Sequence, residues 1–330
     1  MLSATEQTMF SIIDDIRHRA VSVSKRIVYP NLAGARSLEA VARIAREGIA
    51  RPVLVGDPAQ IEAQLREIGG LGNIEVAGQD PLRVKAYADI LLEELGPRGF
   101  REAEIREQLR DPTEYAAAMV RAGDAYGLVL GPPSAGGGAS GKRSGLNRGR
   151  QLIFRCFLVV PAPEARRGGL LFGDRISVET PRAAELADLA VAAASLAGTL
   201  LQRRPRAAFL APSVVAQLKR GNRFTSAAVQ LERRVEEAIT TLGAREPGLV
   251  VASGLERTLP SNGQASEDSP DTYVFADSQA GNLRGQLARA FNGARIVGPI
   301  LRGFCCSVGQ LLPDPTADDI IDLTAATAVS

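Results

Sequence analysis

The residues with chemical potential in this chain fall in four places. Asp318-Asp319 stand just before Ile320-Ile321 and Leu323, at the start of an apolar helical pattern. A carboxylate there favours the helix N-terminus through the dipole, and proton acceptance is the other chemistry open to it. Asn282 follows Gly281 at the start of another helical stretch, where it can donate to a phosphate or where Gly281 simply fixes a turn. Residues 132–150 are rich in glycine, serine and arginine and carry Lys142, Arg143, Arg148 and Arg150. Those cations can close over a phosphate or diphosphate; the other reading is a solvated loop. Gly136 to Lys142 nearly spells the nucleotide-binding Gly-x4-Gly-Lys, but Arg143 stands in the Ser/Thr place, and Gly145 and Gly149 spoil the helix that must follow. The fourth place is Gly298-Pro299-Ile300-Leu301-Arg302-Gly303, which reads as backbone that turns sharply or approaches a ligand.

The rest of the composition narrows the chemistry by exclusion. His18, between Arg17 and Arg19 on an amphipathic first helix, is the single histidine and reads as a surface residue, which disfavours histidine-dependent triads and histidine metal sites. Three cysteines, with Cys305 and Cys306 adjacent, give neither a disulfide framework nor a metal-ligand spacing, as expected of a cytoplasmic protein. Cys305 and Cys306 read as packing residues rather than nucleophiles, since no histidine lies near them in sequence. The net charge of +2 balances 39 basic against 37 acidic side chains, and tryptophan is absent. No field or stacking platform points to nucleic acid or to a membrane surface. Asp14, Asp15 and Arg17 interrupt the N-terminal apolar residues, so no secretory signal is expected. The stretch from Leu186 to Leu201 comes nearest to the ~20 apolar residues of a membrane helix, but Asp188 breaks it and its alanines read as a buried helix.

The elements that must position these groups alternate. Strands are expected at Lys25–Pro30, Pro52–Gly56 and Tyr126–Gly131, with helices at Ser37–Glu47, from Asp57-Pro58, at Pro81–Leu95, at Glu102–Leu109 and from Asp111-Pro112. Aspartate followed by proline is a cap followed by a first-turn residue that needs no N–H partner. Beyond the loop at 132–150 come strands at Leu152–Val160, Gly169–Phe172, Ala207–Ala211, Gly248–Ala252 and Thr272–Phe275, and helices at Ala183–Gln202, Ser226–Leu242 and Gly281–Phe291. This is α/β layering around a mainly parallel sheet, and 330 residues suit two lobes.

Order and spacing along the whole chain resemble the phosphate acetyl/butyryl transferases. The resemblance is carried by Pro30 with Arg36 and Leu38; by Pro52 to Pro58; by Met119-Val120, Gly123-Asp124-Ala125 and Gly127-Leu128-Val129; by Phe172-x-Asp174; by Ala280-Gly281-Asn282; and by Gly298 to Gly303. It implies a two-lobe α/β fold like that of the isocitrate and isopropylmalate dehydrogenases. Each lobe has a mainly parallel sheet with flanking helices, residues 1–150 plus 303–330 form one lobe and 151–302 the other, and the active-site cleft lies between them. It also implies a homodimer that uses no cofactor and takes acyl-CoA with phosphate, or acyl phosphate with coenzyme A. By the same resemblance Asp319 is the base for the coenzyme A thiol, whose free pKa is near ~8.5. Asn282, Gly281, Ser213, Asp174, Arg143 and Arg148 are then the candidate substrate-binding residues.

The chain departs from that family where charge is stabilised. Leu312-Pro313-Asp314 occupies the place of a Ser-Arg-Gly triplet, Gln286 that of a lysine, and the loop at 132–150 is rewritten. Loss of one oxyanion donor typically costs ~3 kcal/mol in the barrier. Two functions are therefore expected to compete. One is transfer of an acetyl or other short acyl group between coenzyme A and phosphate; the other is a non-catalytic relative that binds acyl-CoA or serves as a dimeric scaffold or regulator. Convergence of Asp319, Asn282 and two loop arginines would favour the enzyme, and a cleft filled by Leu312 would favour the other.

Overall fold

The structure, a computed structural model, describes residues 11–32, 34–69, 74–132, 152–161, 168–176, 181–211, 226–256, 269–277 and 283–330. The first part of the chain alternates α1 (Ile12–Val23), β1 (Arg26–Pro30), α2 (Ala35–Arg46), β2 (Arg51–Val55), α3 (Pro58–Glu67), β3 (Glu75–Ala77), α4 (Pro81–Leu95), α5 (Glu102–Gln108), α6 (Pro112–Arg121) and β4 (Gly127–Leu130). Then follow β5 (Phe154–Val160), β6 (Leu170–Arg175), α7 (Ala183–Leu201), β7 (Arg206–Leu210), α8 (Ser226–Arg245), β8 (Val250–Glu256) and β9 (Thr272–Phe275). The chain ends with α9 (Leu283–Ala290), β10 (Arg295–Arg302), β11 (Ser307–Gln310) and α10 (Ala317–Val329).

Asp-Pro does start three helices. The carboxylates of Asp57, Asp80 and Asp111 accept from backbone N–H groups two residues on, at 3.0, 3.3 and 2.7 Å, ahead of the prolines that open α3, α4 and α6.

The strands join in one sheet of order β3-β2-β1-β4-β11-β10-β5-β6-β9-β7-β8. Neighbours are parallel from β3 to β11 and again from β6 to β8. Between these sets, β11 to β10, β10 to β5 and β5 to β6 are antiparallel. Three reversals leave the two parallel sets running in opposite directions. Strand β1 is buried on both sides, as a central parallel strand must be: Ile27 and Tyr29 enter one core and Val28 the other. The first core runs continuously beneath α1, α2, α7, α8 and α10. On the opposite face, α4 to α6 cover one core and α9 covers a second.

Helix α7 is long and apolar enough to cross a membrane by length and composition, but Leu186, Leu189, Leu196 and Leu200 are buried in the protein core. Asp188 lies on its outer side and meets Arg245 of α8 at 2.8 Å.

The segment Gly298–Arg302, expected as a turn or an approach to a ligand, is instead part of β10. Its glycines are needed for another reason. Gly298 has φ +130° and Gly303 has φ +96°, and a Cβ at either would lie 2.7 Å from the Cys156 carbonyl oxygen or 2.1 Å from that of Leu152. The close neighbour is the backbone around β5, and the register shifts between Val297 and Ile300 where the two strands pair. Strands β3 and β11 are additions to the elements expected from sequence.

Candidate active site

Asp319 occupies the first turn of α10, which is placed by β11 beneath it. Gly309 of β11 lets that helix come close: a Cβ there would sit 2.7 Å from Thr327 Oγ1 and 2.9 Å from a Leu323 carbon. Thr316 caps the helix. Its hydroxyl accepts from the Asp319 N–H at 3.1 Å, and Asp319 Oδ2 accepts from the Thr316 N–H at 3.0 Å and from its hydroxyl at 2.8 Å. This reciprocal box establishes Asp319 as a capping residue.

The capping bonds engage only one carboxylate oxygen. Oδ1 accepts from Arg284 Nη2 of α9 at 3.0 Å. Burial pushes the Asp319 carboxyl up, but the bonds from Thr316 and the nearby Arg284 charge outweigh it and hold the group below its usual value. Asp319 is therefore an ionised, half-buried carboxylate, with its side chain 27 % exposed. The pair ties the helix after β9 to the helix after β11, across the junction of the two strand sets. Sequence reading did not single out Arg284. Its only signal is its place two residues past Asn282.

Leu312 packs against the apolar core that includes Phe157, Phe172, Leu283, Leu287 and Phe291. Pro313 and Asp314 are exposed beside it. Around Asp314 and Pro315 opens a cavity of about 420 Å³ whose wall also includes Asn31, Arg36, Pro132 and Leu311, at the carboxyl ends of β1, β4 and β11. Open α/β sheets bind ligands at such strand ends.

Asp174 lies elsewhere. It faces Arg155 across the β5–β6 pair, accepting from Arg155 Nη2 at 2.8 Å and from the Arg175 N–H at 2.8 Å. Its side chain is 2 % exposed, and burial pushes its carboxyl up against the pull of Arg155. Among the described residues Asp174 is held by these two arginines and makes no hydrogen bond with Asp319. Asn282, Gly281, Ser213, Arg143 and Arg148 lie outside the described residues, so their expected convergence on Asp319 does too.

The remaining reactive side chains sit apart from this pair. His18 is exposed on α1. Cys156 is buried, and burial pushes its thiol up to about 12, which keeps it protonated. Cys305 and Cys306 are half-buried and line a cavity of about 780 Å³ with Tyr126, Phe154, Ser195 and Arg302. Neither Asp319 nor Arg284 borders that cavity. Among the described residues no group of three or more His, Cys, Asp or Glu side chains could hold a metal.

The sheet of two opposed parallel strand sets with flanking helices is an α/β architecture shared with solved phosphotransacetylases. A phosphotransacetylase from Staphylococcus aureus superposes with a TM-score of 0.75 at 19 % identity, over 96 % of this chain and 97 % of that one. A second, from Streptococcus pyogenes, gives 0.74 at 21 % identity, over 96 % and 97 %. In sequence, a phosphate acetyltransferase from Acetivibrio thermocellus is 28 % identical over 97 % of this chain and 98 % of the relative. One from Paracoccus denitrificans is 29 % identical over 96 % and 98 %. Residues 11–328 match the family model described as phosphate acetyl/butaryl transferase, and the chain belongs to that family.

Proposed function

We propose that this protein transfers an acetyl or other short acyl group between coenzyme A and phosphate, with Asp319 as the proton acceptor for the coenzyme A thiol. The observation that carries the reading is the position of Asp319: an ionised carboxylate oriented by Thr316, with its second oxygen turned to a cation at the junction of the strand sets. In the direction of acyl-CoA formation the thiol proton passes to Asp319. The thiolate attacks the acyl-phosphate carbonyl, the C–S bond forms, and phosphate leaves with the electrons of the C–O bond. Ordinary thiol and carboxylate values make the first step uphill by about 6 kcal/mol, so the resting Asp319 needs help to act as a base. The cleft is assigned to the junction of a lobe of residues 1–150 plus 303–330 with one of 151–302. The proposed working unit is a cytoplasmic homodimer that uses no cofactor. Its three free cysteines support a reducing compartment, and the dimer without a cofactor is carried over from the family resemblance.

A second reading, a non-catalytic acyl-CoA-binding regulator or scaffold, is favoured by one observation: the Leu312 side chain turns into the apolar core beside α9 and offers no hydrogen-bond donor. Release of free thiol from acetyl-, propionyl- and butyryl-CoA separates the two. Turnover that requires phosphate and disappears in Asp319→Ala supports the enzyme and gives its chain length. A folded protein with no turnover on any of the three supports the second reading.

A further inference from the structure

Arg284 is only partly used by its ion pair. A guanidinium carries five N–H donors, and among the described residues Arg284 commits one, from Nη2 to Asp319 Oδ1 at 3.0 Å. Its side chain remains 34 % exposed. The other arginines gathered around α10 are differently placed: Arg17 and Arg295 meet both Asp318 and Asp322, and Arg43 meets Asp318 and Glu47. The segment that leads into α10 brings Leu312 and Pro313, neither of which can donate from its side chain, and Pro313 has no N–H at all. A phosphate arriving beside the ionised Asp319 therefore needs a cation, and Arg284 already touches that carboxylate.

We propose that Arg284 is the phosphate-binding residue of this site, and that phosphate takes the guanidinium from Asp319 when it binds. The inference deepens the acyltransferase reading and rests on it for its chemistry. A phosphate dianion presents more charge than one carboxylate and matches the guanidinium fork in two parallel hydrogen bonds. Asp319 keeps its orientation when Arg284 lets go, because the Thr316 N–H and hydroxyl hold the other oxygen. The freed carboxylate then stands next to a dianion instead of a cation. Both changes strengthen it as a base when the phosphate held is that of the acyl phosphate whose carbonyl the thiol attacks. In that same direction, phosphate leaving the acyl group finds the guanidinium ready for its developing charge.

Inorganic phosphate is titrated calorimetrically into the wild-type protein, Arg284→Gln and Arg284→Lys, with coenzyme A present, after circular dichroism has shown each variant folded. Steady-state rates are then measured against phosphate and acyl-CoA separately. Arg284→Gln is expected to weaken phosphate by about 10- to 100-fold, the effect of losing a hydrogen-bonded charge partner, while KM for acyl-CoA moves less than twofold. Lysine should recover part of the loss, and added guanidinium ion should raise the phosphate-dependent rate of Arg284→Ala. Unchanged phosphate affinity in Arg284→Gln, or equal rises in both KM values, overturns the assignment and leaves Arg284 a positioner of Asp319. Wild-type protein that fails to bind phosphate also overturns it. Wild-type protein that binds phosphate through Arg284 but turns nothing over sinks the acyltransferase reading and leaves the anion site standing.

Discussion

Asp319 and Asp322 stand three residues apart on α10, both are gripped by arginines from other elements, and their surroundings push them in opposite directions. Asp322 is 1 % exposed and lies between Arg17 of α1, at 2.7 Å from its Nε, and Arg295 of β10, which also bonds to it. Burial pushes its carboxyl up, and the two guanidinium charges only partly offset that. Asp319 is half-buried, accepts from Thr316 and Arg284, and its carboxyl is held below the ordinary value. Each oxygen of Asp322 is engaged by its own arginine, so the cluster pins α1, β10 and α10 together. The cation of Asp319 has donors to spare. Substitution at the first aspartate should therefore be read in rates, and at the second in stability.

The largest effect expected is at Asp319. Asparagine keeps an acceptor for the Thr316 cap while removing the base, so turnover should fall by about 10²- to 10⁴-fold with little change in urea midpoint. A rate within threefold of wild type would remove Asp319 from the chemistry. Asp322→Ala should leave the surviving active sites unimpaired but lower stability by about 3 kcal/mol. That is the low end for removing one partner of a buried pair, because both arginines reach water. Urea unfolding measures it, and Asp322→Asn should cost less, since the amide still accepts from one guanidinium. Equal losses of turnover from both sites would dissolve the distinction.

The part of this distinction that could be read from the sequence follows contact distance along the chain. Asp57-Pro58 and Asp111-Pro112 are local patterns whose hydrogen bonds close within three residues, and the helices they cap form where expected; the Thr316 cap of α10 is as local, although only Asp318-Asp319 marked that helix start. The strands at Thr272–Phe275 and Phe154–Val160 announce themselves as short apolar runs. Strand β11, four residues with a glycine inside, carries too little apolar pattern to stand out, and its glycine serves the helix packed on it. In β10 the Gly-Pro dipeptide masks a strand, because glycine is required by a neighbouring backbone as readily as by a turn. Arg284 was invisible for a different reason: its partner is 35 residues away and belongs to another helix. Nor does sequence spacing place Arg155 opposite Asp174; only the register of β5 on β6 does.

Smaller changes can sharpen the comparison further. Thr316→Ala removes a helix cap, worth about 1 kcal/mol in urea unfolding, and loosens the oxygen that keeps Asp319 aimed. Turnover should fall modestly, with Thr316→Ser close to wild type. The pH dependence of stability separates the two aspartates by sign. A carboxyl held below the ordinary 3.8 in the folded protein, as Asp319 is, contributes stability that is present above that value and lost as pH falls through the lower folded one. A carboxyl raised above 3.8, as Asp322 is, binds its proton more tightly folded than unfolded, so stability is gained as pH falls through the folded value toward 3.8. Urea midpoints measured from neutrality down into the acid range should therefore fall less steeply below about pH 4 in Asp319→Asn than in wild type. In Asp322→Asn the difference should appear above that pH and run the other way, as a steeper fall. Parallel curves for the two variants would mean that their arginines, rather than burial, set both carboxyls, and that the contrast between a pinned aspartate and a poised one is wrong.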